Sequence, residues 1–243
     1  MKVDAIVLAG GTLKNTDKIK ALIKIGEKTL PDIVIDALDE SSGIGKIIVT
    51  SAPPGYKANP VVSDVIEDTG DLVENIARAI DKVEGRQVLL VSSDIPLLAP
   101  QHVSEFLDLC SKVKAQLYYP LIPKSAMGRL GSMKRTYFKL DRTDFTGGNI
   151  MLLDKQLWLD NLVNARKIYT YRKSPLKLAK LVGPLLLLKI ALGRLSVSEV
   201  ERKSSTILDG QIKGIIIRYP EIGSDVDKEE DLQFMQRTFE TRK

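Results

Sequence analysis

Short apolar runs rich in β-branched residues alternate along this chain with longer segments of helical period, and that alternation leaves few architectures open. Ala5 to Ala9, Lys46 to Thr50, Gln87 to Val91, Ala115 to Tyr119 and Gly214 to Arg218 read as strands bounded by turn residues. Several lack polar alternation, as strands buried on both faces do. Between them, Pro31 to Leu38 sets Ile33, Val34, Ala37 and Leu38 on one helical face. Asp71 to Val83 does the same with Leu72, Val73, Ile76, Ala77, Ile80 and Val83. Pro100 opens a further helix through about Lys112, its fixed φ suiting a first turn. The expected class is α/β, with a mostly parallel central sheet and helices on both faces. Ligands of such sheets bind at the C-terminal ends of the strands.

The 243 residues fit one domain, 1–243, and the 44% hydrophobic content is enough for a core. Two regions depart from the alternation. Ser125 to Asn149 is rich in Gly, Arg and Lys and reads as loops with a strand or two. Asn161 to Ser205 holds no obvious strand, so a helical insertion is expected at about 161–205. The formal charge of +5 favours anionic ligands, and no nucleic-acid-binding motif is evident. Cys110 is the sole cysteine, which excludes an intramolecular disulfide and agrees with a cytoplasmic protein. Asp4 and the following Gly-Gly interrupt the only apolar N-terminal run, so no signal peptide is read there.

Val7-Leu8-Ala9-Gly10-Gly11 is a strand running directly into two glycines. Glycine allows a sharp turn and a close backbone approach, leaving N–H groups for phosphate. A plain strand-ending turn has the same sequence. Neither Gly-x-Gly-x-x-Gly nor the P-loop order Gly-Lys-Thr is present.

The continuation is more specific. Leu8-Ala9-Gly10-Gly11 is followed by eight residues and then Lys20-Ala21-Leu22-Ile23-Lys24-Ile25-Gly26-Glu27-Lys28-Thr29-Leu30. This resembles the MobA-like NTP transferases, the molybdenum-cofactor guanylyltransferase-like nucleotidyltransferases, in an uncharacterised bacterial subgroup. The resemblance implies a Rossmann-like nucleotide-diphospho-sugar transferase (GT-A-like) fold. It implies that Leu8, Ala9, Gly10 and Gly11 hold base and phosphates, and that Lys20 is catalytic by stabilising phosphate charge. The family's loop usually carries Arg-Met-Gly where this chain has Asn15, Thr16 and Asp17. Lys14 and Lys18 are nearby substitutes without the bidentate fork of arginine.

Ser92-Ser93-Asp94-Ile95-Pro96 follows an apolar strand and sets a carboxylate at the ligand edge of the sheet. From the residues alone, Asp94 serves equally as a turn or helix cap. The resemblance implies that it is catalytic and binds Mg2+. Asp225-Val226-Asp227 looks like the family's closing Asp-Ile-Asp; it implies Asp227 as the second metal ligand and Asp225 as a lesser candidate. Asp227 is also a plausible N-cap, with Glu230 at the capping-box position. Nucleotidyl transfer needs alignment of an acceptor and neutralisation of phosphate charge, not a protein nucleophile. Magnesium typically takes one or two carboxylates plus phosphate oxygens.

Thr146-Gly147-Gly148-Asn149 is either a hairpin turn or, by the resemblance, part of the acceptor pocket through Gly148 and Asn149. Thr69-Gly70-Asp71 opens a helix; Gly70 could face nucleotide phosphate or belong to an ordinary cap. His102, the only histidine, reads as a surface residue, and Cys110 as a core thiol. Within Tyr171 to Leu195, a basic flank leads into the apolar run from Leu181. That stretch suits a core or homodimer helix kinked at Pro184, or peripheral contact with a membrane. No run reaches the length of about 18 apolar residues needed to span one.

The expected partners are therefore an NTP, GTP or CTP first, and a phosphorylated acceptor, with no nucleic acid. Three rivals remain: a nucleotide- or nucleotide-sugar-binding protein with altered catalysis, a glycosyltransferase on the same fold, and a membrane-peripheral scaffold.

Overall fold

The structure is a computed structural model that describes residues 2–171, Gly183, Lys189 and residues 192–241. Its centre is β1 (Val3–Leu8), and a small hairpin of β2 (Lys24–Ile25) and β3 (Lys28–Thr29) leads into α1 (Leu30–Asp39). Next come β4 (Ile44–Ala52), β5 (Asp64–Glu67), α2 (Leu72–Ile80), β6 (Gln87–Ser92), α3 (Pro100–Ser111) and β7 (Leu117–Pro123). β8 (Phe138–Leu140), β9 (Thr143–Gly147) and β10 (Ile150–Asp154) precede α4 (Lys155–Asp160) and α5 (Leu162–Tyr171). The chain resumes with α6 (Val197–Leu208), β11 (Ile212–Ile216) and α7 (Glu229–Glu240).

Among the described residues, β1 and β4–β11 form one nine-stranded sheet. β5, β4, β1 and β6 run parallel, and β11 runs parallel to β7. β10 lies antiparallel between β6 and β7. The expected mostly parallel central sheet with flanking helices is thus present, with β10 inserted antiparallel near its middle and β9 and β8 pairing antiparallel beyond β7.

Period two explains why the parallel strands look apolar throughout. Ala5, Val7, Val49, Leu89 and Val91 pack on one side, with Val34, Leu38 and Phe106 of α1 and α3. Ile6, Ile48, Val88 and Leu90 pack on the other, with Ile76 and Ile80 of α2. Each strand is therefore buried on both faces. The caps agree with the chemistry of the sequence. Thr29 and Asp32 form a capping box for α1, and Asp71 accepts from the Val73 and Glu74 amides at α2.

Several local expectations change. The strand anticipated from Ala115 starts at Leu117, because the Tyr118 hydroxyl accepts the Ala115 N–H and closes a turn first. The helix expected to reach Val83 ends at Ile80, where the Lys82 and Val83 amides tighten onto Ala79 and Ile80. His102 is buried, not a surface residue. Its Nδ1 accepts the Ala99 N–H at 3.2 Å, serving as the cap that Ala99 cannot supply, and its ring packs on Tyr219 at 4.5 Å. Asp227 does not cap α7 with Glu230. Asp231 instead accepts the Asp227 and Lys228 amides.

Gly147-Gly148-Asn149 forms no hairpin. β9 and β10 follow the same edge of β7, but Gly147 pairs with Leu121 and Leu152 with Tyr118. Five steps on one strand (152 − 147) thus match three on the other (121 − 118), and the surplus bulges at the glycines. A Cβ on Gly148 would lie 2.7 Å from Pro120 and 2.9 Å from Ile222.

Between 161 and 205, α5 and the first part of α6 are the described helices. Most of the apolar run from Leu181, with the membrane-contact and dimer readings attached to it, lies outside the described residues. No described helix is long and apolar enough to cross a membrane.

Gly148→Ala should lower unfolding free energy by about 1–3 kcal/mol, from overpacking against Pro120 and Ile222. Urea denaturation checks this; a midpoint equal to the parent's would mean that the bulge has room to relax.

Candidate functional site

β1 delivers Gly10 and Gly11 to the C-terminal edge of the sheet. The Ala9 amide donates to Thr50, and the Leu8 carbonyl accepts from Ser93. Gly10 passes so close to β4 that a Cβ would lie 2.9 Å from Ser51 Cβ, and Gly11 has φ 98°. Both positions therefore require glycine. The next eight residues fold back on themselves. Thr12 bridges Ile19, the Leu13 amide donates to Lys18, and the Lys20 amide donates to Gly11. Leu13 is fully buried and anchors the loop, while Asn15 stands at its turn with φ 63°.

The loop's closure puts the Lys20 side chain under the sheet edge. Its Nζ lies 2.7 Å from Asp94 Oδ2 and 2.7 Å from Asp227 Oδ1. Asp94 also accepts the Ser92 hydroxyl at 2.5 Å. The Asp94 side chain thus bonds Lys20 and Ser92, in place of the capping role that its sequence position also allowed. Asp225 joins them: one carboxylate oxygen from each of Asp94, Asp225 and Asp227 lies within 4.8 Å of the others. Gly10, Gly11, Lys20, Asp94 and Asp227 converge as their sequence contexts suggested, and Asp225 proves a full member of the cluster.

Sequence reasoning missed Arg135. Its side chain is 6% exposed, and its Nη1 meets Asp225 Oδ1 at 3.2 Å. Its Nε is buried without a hydrogen-bond partner among the described residues. Arg135 lines a polar cavity of about 360 Å3 with Lys134, Asn149, Gly147, Asp225 and Asp227. The only sequence signal was the Arg/Lys enrichment of a loop without periodicity.

Asn149 lines this cavity, while its backbone is committed: its N–H donates to Ile222 and its carbonyl accepts from Ser92. Gly148 serves close packing. Gly70 sits in the loop before α2, φ 82°, with its N–H donated to Asp68. Buried Asn75 links that loop to Ser51, and so to the strand flanking Gly10. Lys18 pairs with Glu229, and the Lys14 amide donates to the Asp227 carbonyl.

The sequence profile of the MobA-like NTP transferase domain matches residues 5–162. The chain belongs to that family. It shares 40% identity with a hypothetical transferase from Thermus thermophilus, covering 96% of this chain and 100% of the other at TM-score 0.83. More distant structures share the fold. A CMP-2-keto-3-deoxy-manno-octonic acid synthetase complexed with CTP is 12% identical, with 100% of both chains covered and TM-score 0.60. The 2-C-methyl-D-erythritol 4-phosphate cytidylyltransferase of Thermus thermophilus is 11% identical, covering 99% of this chain and 100% of that one at TM-score 0.58. A search of curated protein sequences gives no match. The Rossmann-like nucleotide-diphospho-sugar transferase fold is thereby established, and a nucleotidyltransferase-type enzyme is the class this MobA-like domain belongs to.

The electrostatics of this MobA-like site are unbalanced toward the acids. Burial alone would depress Lys20; the charge of Asp94 and the hydrogen bonds to Asp227 and Asp94 outweigh it and hold the ammonium above its usual range. Burial, then the charges of Asp94 and Asp227, push Asp225 up to about 6, against the pull of Arg135.

Asp225 therefore favours the protonated native state. Its stabilising contribution is complete below its unfolded value of 3.8 and is lost as pH rises through about 6. Asp225→Asn should accordingly raise the melting temperature at pH 7.5, by at most about 3 kcal/mol in stability, and the gain should vanish near pH 4. Thermal melts across pH check this; a variant equally destabilised at both pH values would show that the Arg135 pair outweighs the repulsion.

Proposed function

We propose that this protein transfers an NMP from an NTP to a phosphorylated small-molecule acceptor and releases pyrophosphate. The observation that carries the reading is a buried ammonium, Lys20, fixed 2.7 Å from both Asp94 and Asp227 beside the Gly10–Gly11 turn. A cation already sits between these carboxylates, and three hard oxygen ligands lie within 4.8 Å of one another. Such a donor set fits Mg2+, held by Asp94 and Asp227 with Asp225 beside them. When bound, Mg2+ would supply charge neutralisation at the phosphates.

An acceptor phosphate oxygen attacks the α-phosphorus of the NTP. The bond from the α-phosphorus to the bridging oxygen breaks, and pyrophosphate leaves with the electron pair. The chain's own contributions are positional and electrostatic. Leu8, Ala9, Gly10 and Gly11 hold the base and phosphates through close backbone approach, with Gly70 at the neighbouring loop. Lys20 offsets phosphate charge. Arg135 and Asn149, with Gly148 shaping the bulge, face the acceptor. The unit performing this is read as one domain, 1–243, with the helical segment 161–205 inserted.

One fold neighbour is a CTP complex, so CTP is the first donor to assay and GTP the second. In a pyrophosphate-release assay with phosphorylated acceptors, Asp94→Asn should fold normally and lose about a hundredfold in turnover, near 3 kcal/mol. Lys20→Ala should weaken NTP more than acceptor. Asp227→Asn should lose less than Asp94→Asn, because the Asp227 side chain is 66% exposed and water can replace a weakened contact there, whereas that of Asp94 is 10% exposed. Wild-type turnover and magnesium dependence in Asp94→Asn would sink the mechanism.

A further inference from the structure

We propose that the acceptor is amphiphilic, with an anionic head at Arg135 and Lys134 and an aliphatic tail in an apolar cavity beyond Tyr119 and Phe138. The inference rests on the nucleotidyl-transfer reading and specifies its second substrate. Among the described residues, a cavity of about 840 Å3 lies between β7, β8 and β10 on one side and α4, α5 and α6 on the other. Leu121, Met151, Trp158, Ile168, Leu195 and Val200 are among its walls. A volume of this size lies in the range of small-molecule sites.

Tyr119 and Phe138 line both this cavity and the polar one that holds Arg135, Asp225 and Asp227. Both residues are 38% exposed, unusual for large rings inside a fold. Tyr119 joins the two compartments physically: a Cβ on Gly147 would overlap its hydroxyl, and Gly147 belongs to the polar cavity.

Charge divides the two compartments. In the apolar cavity, Glu201 is paired with Lys213 at 2.7 Å and accepts the Gly214 amide. Asn161 donates to the Leu157 and Leu208 carbonyls. Lys139, the other charged residue of this lining, is solvent-exposed, so the enclosed space suits hydrocarbon. In the polar cavity, Arg135 carries a buried Nε with no partner among the described residues, and Lys134 stands beside it. Arg135, whose Nη1 already meets Asp225, and Lys134 are the basic side chains of this lining and supply the charge an anionic head requires. One molecule spanning both spaces needs a charged head and an apolar tail.

Trp158, the sole tryptophan, lines the apolar cavity and reports on it directly. The 243-residue chain is titrated with decyl phosphate, below its micellar concentration, and with propyl phosphate. Decyl phosphate should bind about a hundredfold more tightly and shift Trp158 emission to the blue. Ala165→Phe, or Ser204→Phe should the first variant fail to fold, fills the cavity from its helical wall. Either should reduce the chain-length preference to below about fivefold while leaving propyl phosphate affinity unchanged. Equal affinity for the two phosphates, or an undiminished preference in both filled variants, overturns the inference. Pyrophosphate release is measured in parallel with short-chain and long-chain phosphates. Transfer to short acceptors without any tail preference overturns the amphiphile alone. Tail preference with no nucleotide turnover on either acceptor overturns the transfer reading and leaves the apolar site standing.

Discussion

Three distant stretches of chain meet at one ammonium group. Lys20 is 74 residues from Asp94 and 207 from Asp227, yet touches both at 2.7 Å. A buried lysine is tolerable only when its charge is met, and here two carboxylates share that task, so either one still meets the charge if the other is neutralised. The end of β6, the segment after β11 and the loop after β1 are therefore held to one another. Leu13 and the short internal bonds of that loop fix where Lys20 can reach. The position of the turn at Gly10 and Gly11 follows from the same closure, since Lys20 donates its amide to Gly11.

Burial on both faces gives this arrangement its rigidity. β1, β4 and β6 are flanked on either side by packed helices, so their ends shift little. Near the glycine turn, Ser51, Asn75 and Asp68 form a second connected set of polar groups. Arg135 comes from the irregular segment just before β8, outside the parallel core, and supplies the second buried positive charge. Two cations thus face three carboxylates, and the excess negative charge lifts Asp225.

The parts of this fold legible in the sequence are those governed by local chemistry. β1, β4 and β6 announce themselves because continuous apolar β-branched runs suit a strand with no solvent face. The caps of α1 and α2 follow from Thr29 and Asp71. Asp94 follows a strand, but its place in the site, like that of Asp227, is legible only through the resemblance to the family's motifs. Orientation is not: Ile150–Asp154 has the composition of a parallel strand, and only its neighbours decide that it runs antiparallel. Nor is Arg135, because an irregular loop has no period that would show which of its charges turn inward. His102 departs from its expected place for a related reason. A histidine early in a helix usually looks outward, and its capping of Ala99 depends on the packing of Tyr219.

The long reach from Lys20 to Asp227 has a further bearing on how such a chain emerges from the ribosome. N-terminal portions of a protein fold as they are made. The loop, β1, β4 and β6 can come together once Asp94 is available, leaving Lys20 paired with a single carboxylate. The cluster acquires Asp225 and Asp227 only after 207 residues separate its first member from its last. A nascent or proteolytically shortened chain can thus present the glycine turn and one acid as a half-built cluster, which is complete only once the segment after β11 has been made.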